Sequence, residues 1–329
     1  MNKSILSVCV AALFSSYSNA YEIYKSDDSS INLYGQIRAV IKKQENKSTE
    51  YSDDWSRAGI KFSKYVNEGL NLFALTEFDI GKDGKGLNGR LHYVGAGTEF
   101  GKISFGHQWI SGDDVTYMAD IAYQFGNVAY RHDKLGRSRH NSLIKYKYDN
   151  DNFWINANHG LSEDDENPEL SEFYIGTKKL DNFNIFLGGG VIEDSFKVEG
   201  NHYSAGYHYN NDSIKHSAIV YSNEYDDSTS KIEETTLIVS LRYLIDEKTS
   251  VYSGYEYVEQ DITQSSAKSN TDGTAIFAGF DYRIVPEFLT YVELGHKDGE
   301  ISWYRNGNIT NQMNASNDVS FAIGARYFL

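Results

Sequence analysis

Cysteine, proline and long apolar runs are nearly missing from this 329-residue chain. The single cysteine, Cys9, lies in the first twenty residues. There Lys3, an apolar stretch over 5–14 and the small residues Ser18-Asn19-Ala20 together read as an export signal. Residues 1–20 are therefore expected to be removed, leaving one domain over 21–329 that starts at Tyr21 and has no thiol for a disulfide. Val8 precedes Cys9 where a lipoprotein signal would place a small residue, so no lipid anchor is expected. The two prolines, Pro168 and Pro286, both fall in connections and leave the segments between them free to pair as strands. Beyond the signal no apolar run reaches the roughly 20 residues of a membrane helix, which excludes a helical membrane protein but says nothing against a barrel. A basic excess is absent too: 31 Lys and Arg stand against 46 Asp and Glu, a formal charge of −15, which makes nucleic acid a poor partner.

The chain is rich in tyrosine (26) and glycine (28) and alternates apolar and polar residues with period two. Leu33, Gly35, Ile37, Ala39 and Ile41 share one face, with Tyr34, Gln36 and Arg38 on the other; Leu72, Ala74, Thr76 and Phe78 likewise oppose Asn71, Glu77 and Asp79. An apolar face backed by a charged one is what a wall between lipid and water requires. Sixteen such segments are predicted, at 31–41, 56–66, 70–80, 87–97, 101–109, 139–148, 152–159, 170–180, 183–192, 201–210, 213–223, 235–244, 250–260, 274–284, 288–297 and 319–329. Short turns (67–69, 98–100, 149–151, 181–182, 210–212, 246–248, 285–286) alternate with longer polar segments (42–54, 82–86, 110–138, 160–169, 193–200, 224–234, 261–273, 298–317). This rhythm predicts an all-β fold: a sixteen-stranded antiparallel transmembrane barrel with short periplasmic turns and long external loops. A soluble sandwich is the alternative, and the long-short regularity over sixteen strands favours the barrel. The final segment, Val319 to Leu329, has one apolar face and is expected to pair with the first strand and abolish the sheet edge.

The longest connection, 110–138, has no clear element of its own, which marks a functional loop. It carries Asp113, Asp114 and Asp120, while Arg57, Arg90 and Arg139 stand on strands near it in the chain, each opposite apolar neighbours. On the lipid face an arginine at mid-membrane would cost about 2 to 4 kcal/mol, so their parity places all three inside. The loop is expected to fold into the barrel mouth, where opposed charges would set what passes.

At this point the chain resembles the trimeric general porins of the Gram-negative outer membrane. The resemblance rests on the order and spacing of Tyr21-Glu22-Ile23-Tyr24, Leu33-Tyr34-Gly35, Arg57-Ala58-Gly59-Ile60-Lys61-Phe62, Arg90-Leu91-His92-Tyr93-Val94-Gly95, Phe105-Gly106, Phe125-Gly126 and Ala325-Arg326-Tyr327-Phe328-Leu329. It implies a water-filled channel for passive diffusion of ions and small hydrophilic solutes, assembled as a homotrimer among outer-membrane lipid and lipopolysaccharide. It also implies an inward-folded third loop, with Arg57, Arg90 and Arg139 as the basic wall and Asp120 as a loop acid. The chain departs from the pattern where Gln124 takes the place of a second loop acid, Tyr123 of a proline, Gln36 of a lysine and Leu329 of a phenylalanine; Asp113 and Asp114 could restore negative charge near the loop. The second loop, 82–86, is also short for a latch onto a neighbouring subunit.

Other patterns carry less. Gly84-Lys85-Gly86-Leu87-Asn88-Gly89 fits a dinucleotide fingerprint but joins two strands, and the nine histidines form no His-Glu-x-x-His pair, so neither cofactor nor metal is expected. The acidic runs at 163–166 and 226–227 read as solvated loops, with divalent cation binding the lesser reading. The tyrosines, Tyr207, Tyr209, Tyr282 and Tyr327 among them, read as interfacial girdles. A solute-selective porin would need an aromatic track along the lumen, for which Phe73, Trp154 and Phe186 are the inward candidates. A barrel enzyme of lipase or protease type would need to recruit histidines such as His107, His132 or His140.

Overall fold

The structure is a computed structural model that describes residues 20–45, 47–80, 86–126, 128–129, 138–162, 168–265, 267–305 and 307–329. Most of the export signal, the second loop at 82–85, His132 and the acidic run at 163–166 lie outside the described residues.

Among the described residues the chain forms eighteen strand segments: β1 (Tyr21–Lys25), β2 (Ser29–Lys43), β3 (Glu50–Ser52), β4 (Arg57–Asn67), β5 (Leu70–Ile80), β6 (Leu87–Thr98), β7 (Gly101–Trp109), β8 (Arg139–Asp149), β9 (Phe153–Gly160), β10 (Glu169–Leu180), β11 (Phe183–Glu193), β12 (Glu199–Asn210), β13 (Ile214–Asp226), β14 (Ser230–Leu244), β15 (Thr249–Gln264), β16 (Ala267–Val285), β17 (Phe288–Arg305) and β18 (Asn308–Phe328). Sixteen of them close a ring of antiparallel neighbours: β2 pairs β4, the order then follows the chain to β18, and β18 returns to β2 through Phe321↔Lys43 to Phe328↔Gln36. The other two are short additions on β2. β3 pairs its outer end, and β1 continues the line of β18, with Tyr21 opposite Leu33 just beyond the Leu329 N–H, which donates to Gly35 O at 3.0 Å.

Face assignment follows the period-two pattern. Ile37, Ile41, Leu72, Phe78 and Val94 stand exposed on the outside, whereas Tyr34, Gln36, Leu75, Glu77 and Asp79 are buried inside. Aromatics collect outside near the tight turns, where Phe183 lies against Tyr207 and Tyr209, and Phe288 against Tyr327. Inside, several glycines face an aromatic directly across the ladder: Trp154 lies over Gly176, Phe277 over Gly254, Tyr252 over Gly279 and Tyr291 over Gly324. A Cβ at any of these glycines would fall within about 2.5 Å of the ring, so the missing side chain is the space the aromatic fills.

Three expected loops are strands. The segments 224–234, 261–273 and 298–317 lie largely in paired strands: β13 runs to Asp226 and β14 starts at Ser230, β15 runs to Gln264 and β16 starts at Ala267, and β17 runs to Arg305 and β18 starts at Asn308. β18 alone runs 21 residues, well beyond the roughly 10 needed to cross a membrane. In sequence these strands look shorter than they are because the apolar residues change sides. Along β15, Val251 and Tyr255 point out to lipid, but farther on Glu259 and Asp261 point out to water while Val258 and Ile262 point in. Above the membrane the inward face becomes the dry one. There Val198, Tyr225, Ile232, Ile262 and Tyr304 form a buried cluster, tied by the Tyr304 hydroxyl to Ser230 O and by Ser302 N–H to the Gln260 side chain.

Ile262→Ala is expected to destabilise this extension by about 2 to 5 kcal/mol. Amide hydrogen exchange should speed up at the tips of β14 to β17, while protection in the membrane-spanning parts stays unchanged.

Candidate functional site

After β7 the chain turns inward into a short helix, α1 (Ser111–Thr116), the one helix among the described residues, where the sequence predicted no element. No side chain caps its start, so its free N–H groups go to the barrel wall. Ser111 N–H donates to Asn158 Oδ1 at 2.5 Å, Gly112 N–H to Glu172 Oε2 at 2.9 Å, and Ser111 Oγ to Asn156 Oδ1 at 2.8 Å. Glu172 also lies 3.4 Å from His202 Nε2. Both side chains occupy space left by Gly190, where a Cβ would come within 2.8 Å of each.

The described residues that follow, 117–126 and 128–129, lie along the wall between β9 and β17. Val115, Ala119, Val128 and Ala129 bury against Trp154, Tyr174, Phe186, Ile219 and Tyr221. Ser217 Oγ donates to Met118 O, and Arg242 Nη2 to Ile121 O. Two carboxylates take five further backbone N–H groups among the described residues of the loop. Glu293 accepts from Tyr123, Gln124 and Phe125 at 2.6 to 2.8 Å and from the Tyr252 hydroxyl at 2.8 Å, and Glu256 accepts from Val128 and Ala129 at 2.6 and 3.0 Å. Phe125 packs on Gly295, where a Cβ would come within 2.5 Å of it. Hydrogen bonds to a carboxylate are shorter and about twice as strong as neutral ones, which suits them to holding a loop with little regular structure.

Facing the loop, β18, β2, β4, β6 and β8 carry basic side chains, and β5 supplies the acids Glu77 and Asp79. Arg90 Nε meets Glu77 at 2.6 Å and its Nη1 meets Asp79 at 3.4 Å; Arg139 reaches Asp79 at 4.0 Å, and both guanidinium groups lie over Trp109. Arg57 stands between Gln36 and Asp79 across the ladder, within electrostatic range of Arg90, Glu77 and Tyr117 but without an ion pair among the described residues. The three predicted arginines are thus on one wall. Among the predicted loop residues, Asp113 is within range of Arg139, and Asp120 is half-buried just after the turn at 117–119.

Asp114 departs from expectation. It turns away from the arginines into ion pairs with Lys145 and Lys147, both at 2.6 Å, and accepts from Asn156 Nδ2 at 2.7 Å, because the first turn of α1 points it at β8 and β9. Gln124 points across to Asp54 Oδ1 at 2.7 Å. Two further arginines stand beside the predicted set: Arg38, whose Nη1 donates to Asp54 O at 3.3 Å, and Arg326, whose Nη2 meets Asp54 Oδ2 at 3.1 Å. Their signal was the parity that placed Arg57 inside. The anchoring glutamates Glu172, Glu256 and Glu293 had no local signal, since their partners lie 60 to 170 residues away along the chain.

A closed antiparallel barrel with an apolar outside, a charged inside and a loop folded into it defines an outer-membrane β-barrel protein. A family model described as Gram-negative porin matches residues 7–302, and the chain belongs to that family. Its fold is similar to that of OmpT, an outer membrane protein of Vibrio cholerae, with a TM-score of 0.83 and 30% identity over 93% of this chain and 99% of that one; a trimer form of that protein has been solved. In sequence it is 31% identical to the major outer membrane protein of Pasteurella multocida over 142 residues, 39% of this chain and 40% of that protein. It is 29% identical to outer membrane porin C of Enterobacter cloacae over 153 residues, 45% and 42% of the two. The aligned stretches thus span less than half the length of these sequence relatives. The family and the barrel place the chain in the Gram-negative outer membrane.

Replacing Glu293 by Gln is expected to loosen the loop at residues 123–125 and to lower barrel stability by about 2 kcal/mol or more. Unheated electrophoresis should still find the barrel folded, with its thermal midpoint lowered and its open-channel current noisier.

Proposed function

We propose that the chain forms a passive channel for ions and small hydrophilic solutes, with the loop at 110–138 as its constriction. The observation that carries this reading is the division of the inner face. The loop is held to the β9 to β17 side through Glu172, Glu256 and Glu293, which leaves Arg57, Arg90 and Arg139 on the other side of the opening with Asp113 within electrostatic range of Arg139, and we assign Asp120 to the same opening. Opposed charges across a narrow passage orient water and favour polar solutes over apolar ones.

The alternatives have less support. Trp154 and Phe186 lie beneath the loop, in the cluster with Val115 and Ala119, so they offer no exposed aromatic track for a sugar. For an enzyme, His107 Nδ1 lies against Asn141, while His140 has Pro168 O at Nε2 and the Ser142 N–H at Nδ1, which favours a channel without catalysis.

The proposed assembly is a homotrimer embedded in outer-membrane lipid and lipopolysaccharide. An exposed apolar groove on the outside of β2 to β8, lined by Phe62, Leu72, Ala74, Val94, Ile103 and Phe105, offers a surface for a second copy. In planar bilayers the wild-type protein is expected to insert in conductance steps grouped by three, and Arg57→Ala and Asp113→Asn to shift the reversal potential in opposite directions. Steps indifferent to both substitutions would move the constriction elsewhere, and absence of conductance would defeat the channel reading.

A further inference from the structure

The overall charge of −15 suggests a passage for cations. The wall of the constriction points the other way. Arg38 and Arg326 are direct cross-strand partners on the inner face. Like charges in that position repel and destabilise the pair unless something negative joins them. Asp54 is the acid at hand, and its groups are shared: Oδ2 meets Arg326, the backbone carbonyl meets Arg38, and Oδ1 accepts from Gln124. Arg57 and Arg90 are both within electrostatic range of Arg38, Arg326 is within range of Arg38 and Arg57, and Arg90 already engages Glu77 and Asp79. The four arginines Arg38, Arg57, Arg90 and Arg326 thus stand against the three carboxylates Asp54, Glu77 and Asp79.

Two donors remain over. Arg326 Nε is buried without a hydrogen-bond partner, and Arg57 has no ion pair among the described residues. The guanidinium of Arg326 is fixed in place over the rings of Tyr123, at 4.4 Å, and Tyr291, at 5.6 Å. The loop residue that reaches this corner, Gln124, is neutral. A planar guanidinium with spare N–H groups matches the two oxygens of a carboxylate or phosphate.

Resting on the channel reading above, we propose that Arg38, Arg57 and Arg326 form a binding position for small oxyanions, carboxylates or phosphates, and that it makes the pore prefer anions. The position lies at the β18 to β4 corner, apart from the Arg90, Arg139 and Trp109 group that faces Asp113. A small anion with two or more oxygens bridges the repelling pair and Arg57 as it passes. The surplus of positive charge at that corner, rather than the total charge of the chain, then governs which ions enter.

The test uses the full-length mature protein in planar bilayers, with the reversal potential read in a potassium chloride gradient, and calorimetric titration of the folded protein in detergent with inorganic phosphate or succinate. Wild type is expected to favour chloride and to bind at least one of the two probes weakly and saturably. In R38Q/R326Q the chloride-to-potassium permeability ratio should fall about twofold or more and the binding should be lost. Gln124→Glu, which keeps every arginine, should move the ratio the same way, and Lys231→Gln on the outer surface should leave it unchanged. Binding of phosphate alone would assign the position to phosphates, and of succinate alone to carboxylates. A cation-selective wild type, or selectivity and binding indifferent to R38Q/R326Q, would overturn the proposal. No conductance with binding intact would instead defeat the channel reading and leave the oxyanion position standing.

Discussion

In the hydrocarbon of a membrane no water is available to a free peptide group, and each unsatisfied N–H or C=O costs several kcal/mol. The ladder between β18 and β2 is therefore the contact on which the rest of the structure depends, because it removes the last open edge of the sheet. Once the sheet is closed, each strand has one face to lipid and one to the lumen, and the period-two pattern decides which residues take which. The apolar outer face of Ile37 and Ile41 and the polar inner face of Gln36 and Arg38 are two consequences of the same closure.

The inner face is then divided by charge. The described part of the loop has one short helix and cannot satisfy its own backbone, so its N–H groups must find acceptors on the wall it covers. Glu172, Glu256 and Glu293 supply them, and each carboxylate is buried in doing so. Because those acids are turned to the loop backbone, they do not face the arginines across the opening. The arginine side is balanced instead by acids on its own wall, Asp54, Glu77 and Asp79. One end of that arc, near Arg139 and Asp113, has charges of both signs; the other, near Arg38 and Arg326, is weighted to the positive.

Much of this was legible in the sequence, and the limits have physical causes. Ring closure, the inward arginines and the loop's inward course follow from alternation and connection length, both of which are local. Asp114 could not be told from Asp113 by parity, because a helical turn sends adjacent residues in different directions and the pattern of the flanking strands no longer applies. The extended hairpins were missed because solvent replaces lipid above the membrane. Val258 and Ile262 lie on the face opposite Val251 and Tyr255, so an unbroken strand looks in sequence like one that has ended. The anchoring glutamates resemble ordinary lumen-facing acids until the loop is seen against them. The chain's net charge misleads for a similar reason, since acids such as Glu259 and Asp261 sit on the outer surface of the extension, far from the passage.

The seam between β18 and β2 also bears on how the barrel can form. It joins residues 321–328 to 36–43, segments near opposite ends of the domain, so the entropy of bringing them together is among the largest any contact in the fold demands. Every other neighbouring pair in the ring is a hairpin or the short link from β2 to β4, except the β7 to β8 pair that spans the loop. The barrel can therefore assemble as a growing sheet of local contacts, with the closing ladder formed late, and slow, high-contact-order zippering is the expected rate-limiting event. Until that event, two long edges are exposed to water or lipid, and a second chain offers the same edges for the same bonds. Closure of this seam is thus as much a protection against chains joining edge to edge as a means of reaching the native fold.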